Sequence, residues 1–522
     1  MILVHPPVTK PCEPPAGIAR LQGFLRRRGI NCKIWDANLE GLLDLLQTRG
    51  KLFSSSPGAS LDTWTRRSLK NLALNLDLLR DIATYHSFAR YKKAVEDLNR
   101  LFAQAAIPQN VRLTWANYQH SELSPARSKD LIQAAEKPEQ NPFYPFFKER
   151  MVQILEETSS CMIGFSLNYL SQGLTSFAMI GFLKKHFPEV SVILGGGLVT
   201  SWMKRPNWQN PFQGLVDFFV AGPGENPLLS MLDAEKAVAE NCNTRESTPD
   251  YDCFPLKKYM APGIILPYSA ASGCYWNRCS FCPEKAEGNP YIPVPAEDVI
   301  RDLHVLAEKV KPVLVHFLDN AIRPALMEKI VESPPGVPWY GFARITPHLM
   351  EADFCRALKR SGCVMLQLGL ESGDQEVLDR LQKGIDLETA SRVLKNLAGA
   401  GIAPYVYLLF GTPEETTVQA HKTLDFTVQH REEIRFLNLA LFNLPVYSRE
   451  AAELATERFY EGDLSLYTNF AHPHGWDRNK IRQFLDKEFK RHPAISPILR
   501  RDPPFFTSNH APFFALPEMA EE

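Results

Sequence analysis

The sequence predicts an α/β protein with two successive parallel-sheet domains, and three observations carry that reading. Short apolar runs alternate with amphipathic helical patterns in two separate series. A polar stretch, 234–252, divides the two series as a linker. The length of 522 residues exceeds the ~100–200 residues of a single domain, so more than one core is expected.

The first series opens with "MILVHPP", an apolar run cut off by prolines, then the helical "AGIARLQGFLRRRGI" and the run "NCKIWDAN". It is interrupted from about 43 to 155 by an aromatic-rich, helix-like segment, which predicts a helical insertion. It resumes at "SSCMIGFSL", passes through the helical "GLTSFAMIGFLKKHFP" to "VSVILGGG", and ends at "LVDFFVAGPGE". Five strands alternating with helices predict a doubly wound sheet over residues 1–230. A linker over 231–260 follows.

The second series begins at "GIILPYSAASGC" and continues with "VLVHFL", "WYGFARI", "VMLQLGL", "PYVYLLFG" and "FLNLALF". Six strand–helix units over 261–445 predict a partial (β/α)6 barrel, whose chemistry belongs at the C-terminal ends of its strands. Residues 446–522, rich in proline and aromatic side chains, predict an irregular extension that lines an entrance or packs the open edge of the barrel.

Lys and Arg number 58 against 59 for Asp and Glu, a net charge of −1, so nothing in the overall balance attracts nucleic acid or an anionic surface. No basic leader followed by an apolar stretch opens the chain, and no run approaches the ~18 apolar residues of a membrane span. A cytoplasmic protein with neither membrane nor nucleic-acid partners is the expectation. The chain has 10 cysteines. Seven are scattered singly, at Cys12, Cys32, Cys161, Cys242, Cys253, Cys355 and Cys363, which suits a reducing compartment better than a disulfide framework.

The other three cluster in "SGCYWNRCSFCP" as Cys274, Cys279 and Cys282, just after the first barrel strand. Thiolates at this density bind zinc or an iron–sulfur cluster. Structural zinc normally takes four protein ligands, and no further Cys or His follows until His304; Cys253 is a conceivable fourth. Zinc, a cluster and inert burial all remain open on the residues alone.

The triplet, with Phe281 before its last cysteine, resembles the radical S-adenosylmethionine superfamily. There three cysteines hold three irons of a 4Fe-4S cluster and the fourth iron receives the nucleotide. The spacing departs from the usual C-x3-C-x2-C by one residue, being C-x4-C-x2-C. The resemblance extends over roughly 260–445. It implies that Phe281, Asp319 and Asn320 of "HFLDNAI", Arg344 of "FARI", Glu371 and Ser372 of "GLESGD", and Gly411 of "LFGTPEET" bind S-adenosylmethionine, with Glu371 on the ribose hydroxyls. Read alone, Glu371-Ser-Gly fits a helix start and Arg344 an ordinary ion pair.

The first series resembles the flavodoxin-like, cobalamin-binding domain of one branch of those enzymes. That resemblance implies cobalamin contacts at Ser166, Asn168, Gly195, Gly196, Gly197, Gly222, Gly224 and Glu225. The cobalt-ligating Asp-x-His-x-x-Gly signature of mutases is absent, and His5 is read as a strand-end residue. The branch implies reductive cleavage of S-adenosylmethionine, most often for methylation of an unactivated carbon in a small-molecule or peptide substrate. The electron donor would be external, such as flavodoxin or ferredoxin. Rearrangement or oxidation without methyl transfer is the alternative, and a non-catalytic, zinc-stapled binding protein is the alternative of another class. A methylthiotransferase acting on transfer RNA is disfavoured by the lack of a basic appendage.

Overall fold

The computed structural model describes residues 1–522 apart from 56–60, 159, 206–207, 233–247, 458–461, 505–509 and 516–522. Half of the expected linker 231–260, Cys242, and parts of the aromatic C-terminal motifs therefore lie outside the described residues. The chain divides into two compact units, one built on Met1–Gly263 and the other on Ile264–Tyr460, and the residues beyond 460 are shared between them.

The first unit is an all-parallel sheet of β1 (Ile2–Val4), β2 (Lys33–Trp35), β5 (Met162–Ser166), β6 (Ser191–Gly195) and β7 (Phe218–Val220). Its order is β2-β1-β5-β6-β7. This is the doubly wound arrangement, with the order reversing at β1. Both faces of these short strands are covered, so they read as continuous apolar runs: Ile2, Leu3, Val4, Ile163, Phe165 and Val192 are all buried. Helix Ala16–Arg27 follows Pro15 and stops before Gly29, whose φ of +74° suits glycine.

The insertion differs from the expectation in two ways. Its first helix, Ala37–Ser55, starts directly after β2 rather than near 43. It also contains an antiparallel hairpin, β3 (Val111–Leu113) with β4 (Tyr118–His120), between helices Phe88–Ala106 and Ser128–Glu136. Three-residue strands are too short to register as an alternating pattern. The hairpin is set by a local turn in which Thr114 N–H donates to Asn117 O at 3.0 Å.

The second unit is a six-stranded parallel sheet, open rather than closed. It starts with β8 (Ile265–Tyr268), after which β9 (Ala271–Ser272) and β10 (Ile292–Pro293) pair antiparallel on either side of the cysteine loop. The sheet continues with β11 (Leu314–Ile322), β12 (Trp339–Ala343), β13 (Cys363–Glu371), β14 (Ala403–Phe410) and β15 (Phe436–Leu441), each beside its predecessor. All six expected strands are present. Alternation puts His316, Tyr340, Phe342, Gln367, Tyr405, Tyr407 and Asn438 on one face, as the registers and ring contacts agree. Gln367 Nε2 donates to Tyr407 Oη at 2.8 Å there, giving that face an uncharged polar patch among aromatic rings.

The C-terminal extension is less irregular than expected, since β16 (Leu444–Pro445), β17 (Thr456–Glu457) and β18 (Tyr467–Phe470) form a small antiparallel sheet. His510 and Phe514 pack on Phe436 of the edge strand β15, at ring distances of 4.5 and 5.5 Å. His510 also lies 4.8 Å from the ring of Tyr405, the β14 partner of Phe436, so the aromatic tail packs on the face those two residues share. Among the described residues no helix is long and apolar enough to cross a membrane.

Candidate functional site

The cysteine loop is held by backbone geometry at its start and by docking along its length. Gly273 precedes it at φ +73°, and a Cβ there would fall 2.4 Å from Pro290 O, so the chain crosses too closely for any side chain. Between Cys274 and Cys279 the loop accommodates its extra residue with Asn277 in left-handed backbone at φ +45°, a conformation asparagine tolerates. Ser280 N–H donates to Leu381 O at 3.0 Å, and Trp276 Nε1–H to Gln382 O at 3.0 Å. The loop is therefore seated on residues 381–384, which follow β13.

Cys282 opens the short helix Pro283–Ala286, and the Glu284 and Lys285 N–H groups donate to its sulfur. Burial nevertheless pushes the Cys282 thiol up to about 11, and burial raises the Cys279 thiol too, against the opposing pull of Lys383 and Arg344. A metal centre would reverse that by holding both as thiolates. The Cys274 sulfur is close enough to act electrostatically on both others. Among the described residues no three His, Cys, Asp or Glu side chains converge tightly enough to grip a single metal ion. Three clustered soft sulfur donors, one at a helix start and one beside two cations, suit an iron–sulfur cluster. Cys253 belongs to the first unit, exposed, with the Gln22 amide at 3.8 Å from its sulfur.

Glu371 and Arg344 come together with this loop. Glu371 lies in left-handed backbone at φ +70°, at the bulge where the β13–β14 register shifts. Strain of that kind is held in place only by its surroundings. Its carboxylate accepts a 2.7 Å hydrogen bond from Lys383 Nζ, and that ammonium stands 5.5 Å over the Phe281 ring. Gly369 keeps the space open, because a Cβ there would lie 2.5 Å from Glu371 Oε1 and 2.8 Å from Lys383 Nζ. Arg344 is buried just beyond β12, donates to Lys383 O, and has Nη1 4.0 Å from Cys279 Sγ.

The remaining candidates divide. Asp319 is buried within a bulged stretch of β11, accepts from Ala270 N–H at 3.0 Å, and is pushed up to about 7 by burial; Asn320 beside it is exposed. Ser372 is fully buried, with its hydroxyl 3.2 Å from Thr423 Oγ1 and accepting from Asp374 N–H, so its contacts are those of a helix start. Gly411, at φ +84°, donates its N–H to Glu415 Oε2 at 2.5 Å, and the end of the Ile481 side chain lies where a Cβ would sit. Glu415 also accepts from Trp476 Nε1–H at 2.9 Å, while its other oxygen is buried among the described residues without a partner. Burial lifts its carboxyl to about 7.

Sequence reading missed Lys383, Trp276 and Glu415. Each takes its place from a partner distant in the chain, and the one local clue was Gly384 after Lys383, whose φ is +64°.

In the first unit, Asn168 links the turns after β5 and β6. It donates to Ser166 Oγ at 3.0 Å and accepts from Gly197 N–H at 2.9 Å. Gly195 ends β6, and Gly196 follows at φ +109°, where a Cβ would strike Leu167 O at 2.4 Å. At Gly197 the nearest atom to such a Cβ is Asn168 Oδ1 at 3.7 Å, and at Gly222 nothing lies within 4 Å. Gly222 N–H donates to Thr200 Oγ1 at 2.9 Å. Gly224 packs against Leu21, and Glu225 is buried in an ion pair with Arg20 at 2.7 Å. Ser166, Asn168 and Gly195–Gly197 thus form one patch, and Glu225 is engaged elsewhere. His5 Nε2 is 3.0 Å from Thr9 Oγ1, and burial lowers its pKa.

Residues 268–427, which include every second-unit candidate, match the Radical SAM superfamily. Among curated proteins, an uncharacterized methyltransferase of Pyrococcus horikoshii is 26% identical over 272 residues, covering 46% of this chain and 58% of its own length. The anaerobic magnesium-protoporphyrin IX monomethyl ester cyclase of Rubrivivax gelatinosus is 21% identical over 364 residues, 60% of this chain and 64% of its own. The chain thus spans less than two thirds of either relative. A solved structure of the radical S-adenosylmethionine methyltransferase TsrM from Kitasatospora setae aligns over 87% of this chain and 75% of its own, at 15% identity and a TM-score of 0.49.

Proposed function

We propose that this chain is a cobalamin-dependent radical enzyme that cleaves S-adenosylmethionine reductively and methylates an unactivated carbon. The observation that carries the reading is the three-cysteine loop seated against the Glu371–Lys383 pair, inside the segment that matches the Radical SAM superfamily. In this reading Cys274, Cys279 and Cys282 hold the 4Fe-4S cluster. Phe281, Asp319, Asn320, Glu371, Ser372 and Gly411 shape the nucleotide site, and Arg344 borders the cluster beside it. The Glu371 carboxylate is suited to accept from two ribose hydroxyls, and half-exposed Phe281 offers the adenine a face.

When bound, the cluster supplies the electron that splits the nucleotide's sulfonium, and cobalamin supplies a methyl carrier. The turn residues Ser166, Asn168, Gly195, Gly196, Gly197, Gly222 and Gly224 are assigned to cobalamin, and Glu225 is held in its ion pair with Arg20. Gly197 and Gly222 have open space beside their backbones, and Gly196 is needed to form the turn. A small-molecule or peptide substrate is assigned to the Gln367–Tyr407 patch on the aromatic face of the second sheet, and the electron comes from a low-potential donor such as flavodoxin or ferredoxin.

The test is anaerobic purification with iron, sulfide and cobalamin, then incubation with S-adenosylmethionine and dithionite. The expected results are 5'-deoxyadenosine from the loaded protein, and S-adenosylhomocysteine only when cobalamin is present. A reduced, cluster-loaded protein that binds the nucleotide and forms neither product overturns the enzyme reading. Formation of 5'-deoxyadenosine alone, with or without cobalamin, moves the reaction to rearrangement or oxidation.

A further inference from the structure

Trp276 and Arg344 have ties that a nucleotide-binding role does not require. The Arg344 guanidinium carbon lies 4.2 Å from the centre of the Trp276 ring, and that of Arg278 lies 5.0 Å from it. Arg344 is 7% exposed and its terminal nitrogens are engaged, one on Lys383 O and the other 4.0 Å from Cys279 Sγ. The indole is fixed in turn by its N–H on Gln382 O and by the absence of a side chain at Gly384, where a Cβ would lie 2.2 Å from the ring. Trp276 lies among the four residues between Cys274 and Cys279, beside Asn277 in left-handed backbone at φ +45°.

We propose that Trp276 and Arg344 are positioning residues of the iron–sulfur cluster, clamping the enlarged cysteine loop and raising the cluster's reduction potential, and that Arg344 does not grip the nucleotide's carboxylate. The inference rests on the cluster reading above. A guanidinium held in a dry site against one ligand sulfur stabilises the electron added on reduction more than it stabilises the oxidised cluster. Its stacking on the indole fixes its plane, so the cation is already oriented when that electron arrives. The electron itself is supplied by a low-potential one-electron donor, and no bond in the protein changes.

The experiment uses the full chain, reconstituted anaerobically with iron and sulfide, and reads three quantities. These are the midpoint potential from an EPR-monitored dithionite titration, the rate of iron loss to a chelator, and S-adenosylmethionine binding by equilibrium dialysis. Arg344→Met is expected to load iron, bind the nucleotide within about twofold of wild type and shift the midpoint to more negative potential; Arg344→Lys should recover part of that shift. Trp276→Phe keeps a ring but loses the hydrogen bond to Gln382, and is expected to lose iron several-fold faster with unchanged nucleotide affinity. An unmoved midpoint in Arg344→Met, with nucleotide affinity down tenfold or more, overturns the proposal in favour of carboxylate binding. If Arg344→Met does not fold, iron loss from Trp276→Phe at the wild-type rate overturns it. Wild-type protein that never acquires a cluster spectrum refutes the underlying cluster reading, a result distinct from either.

Discussion

Lys383 Nζ stands 2.7 Å from Glu371 Oε1, and the two side chains are only 8% and 12% exposed. The pair joins the strand end that presents Glu371 to the segment on which the cysteine loop is seated. A nearly buried ion pair is costly to halve, because the survivor is left as an uncompensated charge. Lys383→Met should therefore destabilise the second unit by about 3 kcal/mol, in the range found when one member of a buried pair is removed. The double change Glu371→Gln with Lys383→Met should recover much of that stability without restoring nucleotide binding. Denaturant melts and equilibrium dialysis on the three variants check this; a double variant as unstable as the single one would mean the pair does not act as a pair.

Each of Cys274, Cys279 and Cys282 is expected to be needed for iron. Changing any one to Ala should remove most of the visible charge-transfer absorbance after reconstitution, and all cleavage of the nucleotide. Cys253, exposed in the first unit, should be replaceable by Ala with neither effect. Iron quantitation and a spectrum decide it, and metal retained by all three triplet variants but lost from Cys253→Ala would defeat the cluster assignment.

The glycine turns of the first unit call for a choice of probe. Gly196 has positive φ and a carbonyl 2.4 Å from where a Cβ would sit, so its replacement tests folding rather than any ligand. Gly197 is open, with its nearest neighbour at 3.7 Å. Gly197→Val is expected to leave the melting temperature within a few degrees of wild type and reduce cobalamin retention several-fold, with iron content unchanged. Equal loss of cobalamin and iron, or undiminished cobalamin, sinks the assignment of that turn.

Both parallel sheets were legible in the sequence because apolar runs alternating with amphipathic helices are a local signal. The cysteine triplet was legible because its members sit within nine residues. The surroundings of that loop were not. Trp276 meets Gly384 from a loop that holds Asn277 in left-handed backbone, and Lys383 meets Glu371 at a bulge in β13. A chain position says nothing about either event. The same applies to Ser372, whose motif reads equally as a ligand or as a helix start, and whose hydroxyl is found against Thr423. Sequence reading located strand ends; it did not identify which side chains at those ends are already engaged with protein.

Glu415 supplies the last prediction, and its sign follows from burial. Its carboxyl is pushed up to about 7 because the low-dielectric interior disfavours the charged form, despite the N–H groups of Gly411 and Trp476 on one oxygen. An unfolded glutamate titrates near ~4.3, so between there and about 7 the native state binds the proton more tightly. Stability from this group is therefore fully present below the unfolded value and lost as the pH rises through about 7. Glu415→Gln mimics the neutral acid and removes that dependence. The wild-type melting temperature should fall from pH 5 to pH 8, and that of Glu415→Gln should fall less steeply. The variant should keep some slope because Asp319 and Asp502 are also raised to about 7 by burial. Parallel curves for the two proteins would show that Glu415 is already ionised across this range. Its proton also bears on Gly411, whose N–H donates to it at the end of β14, so nucleotide affinity is expected to vary with pH over the same interval in wild type and less in the variant.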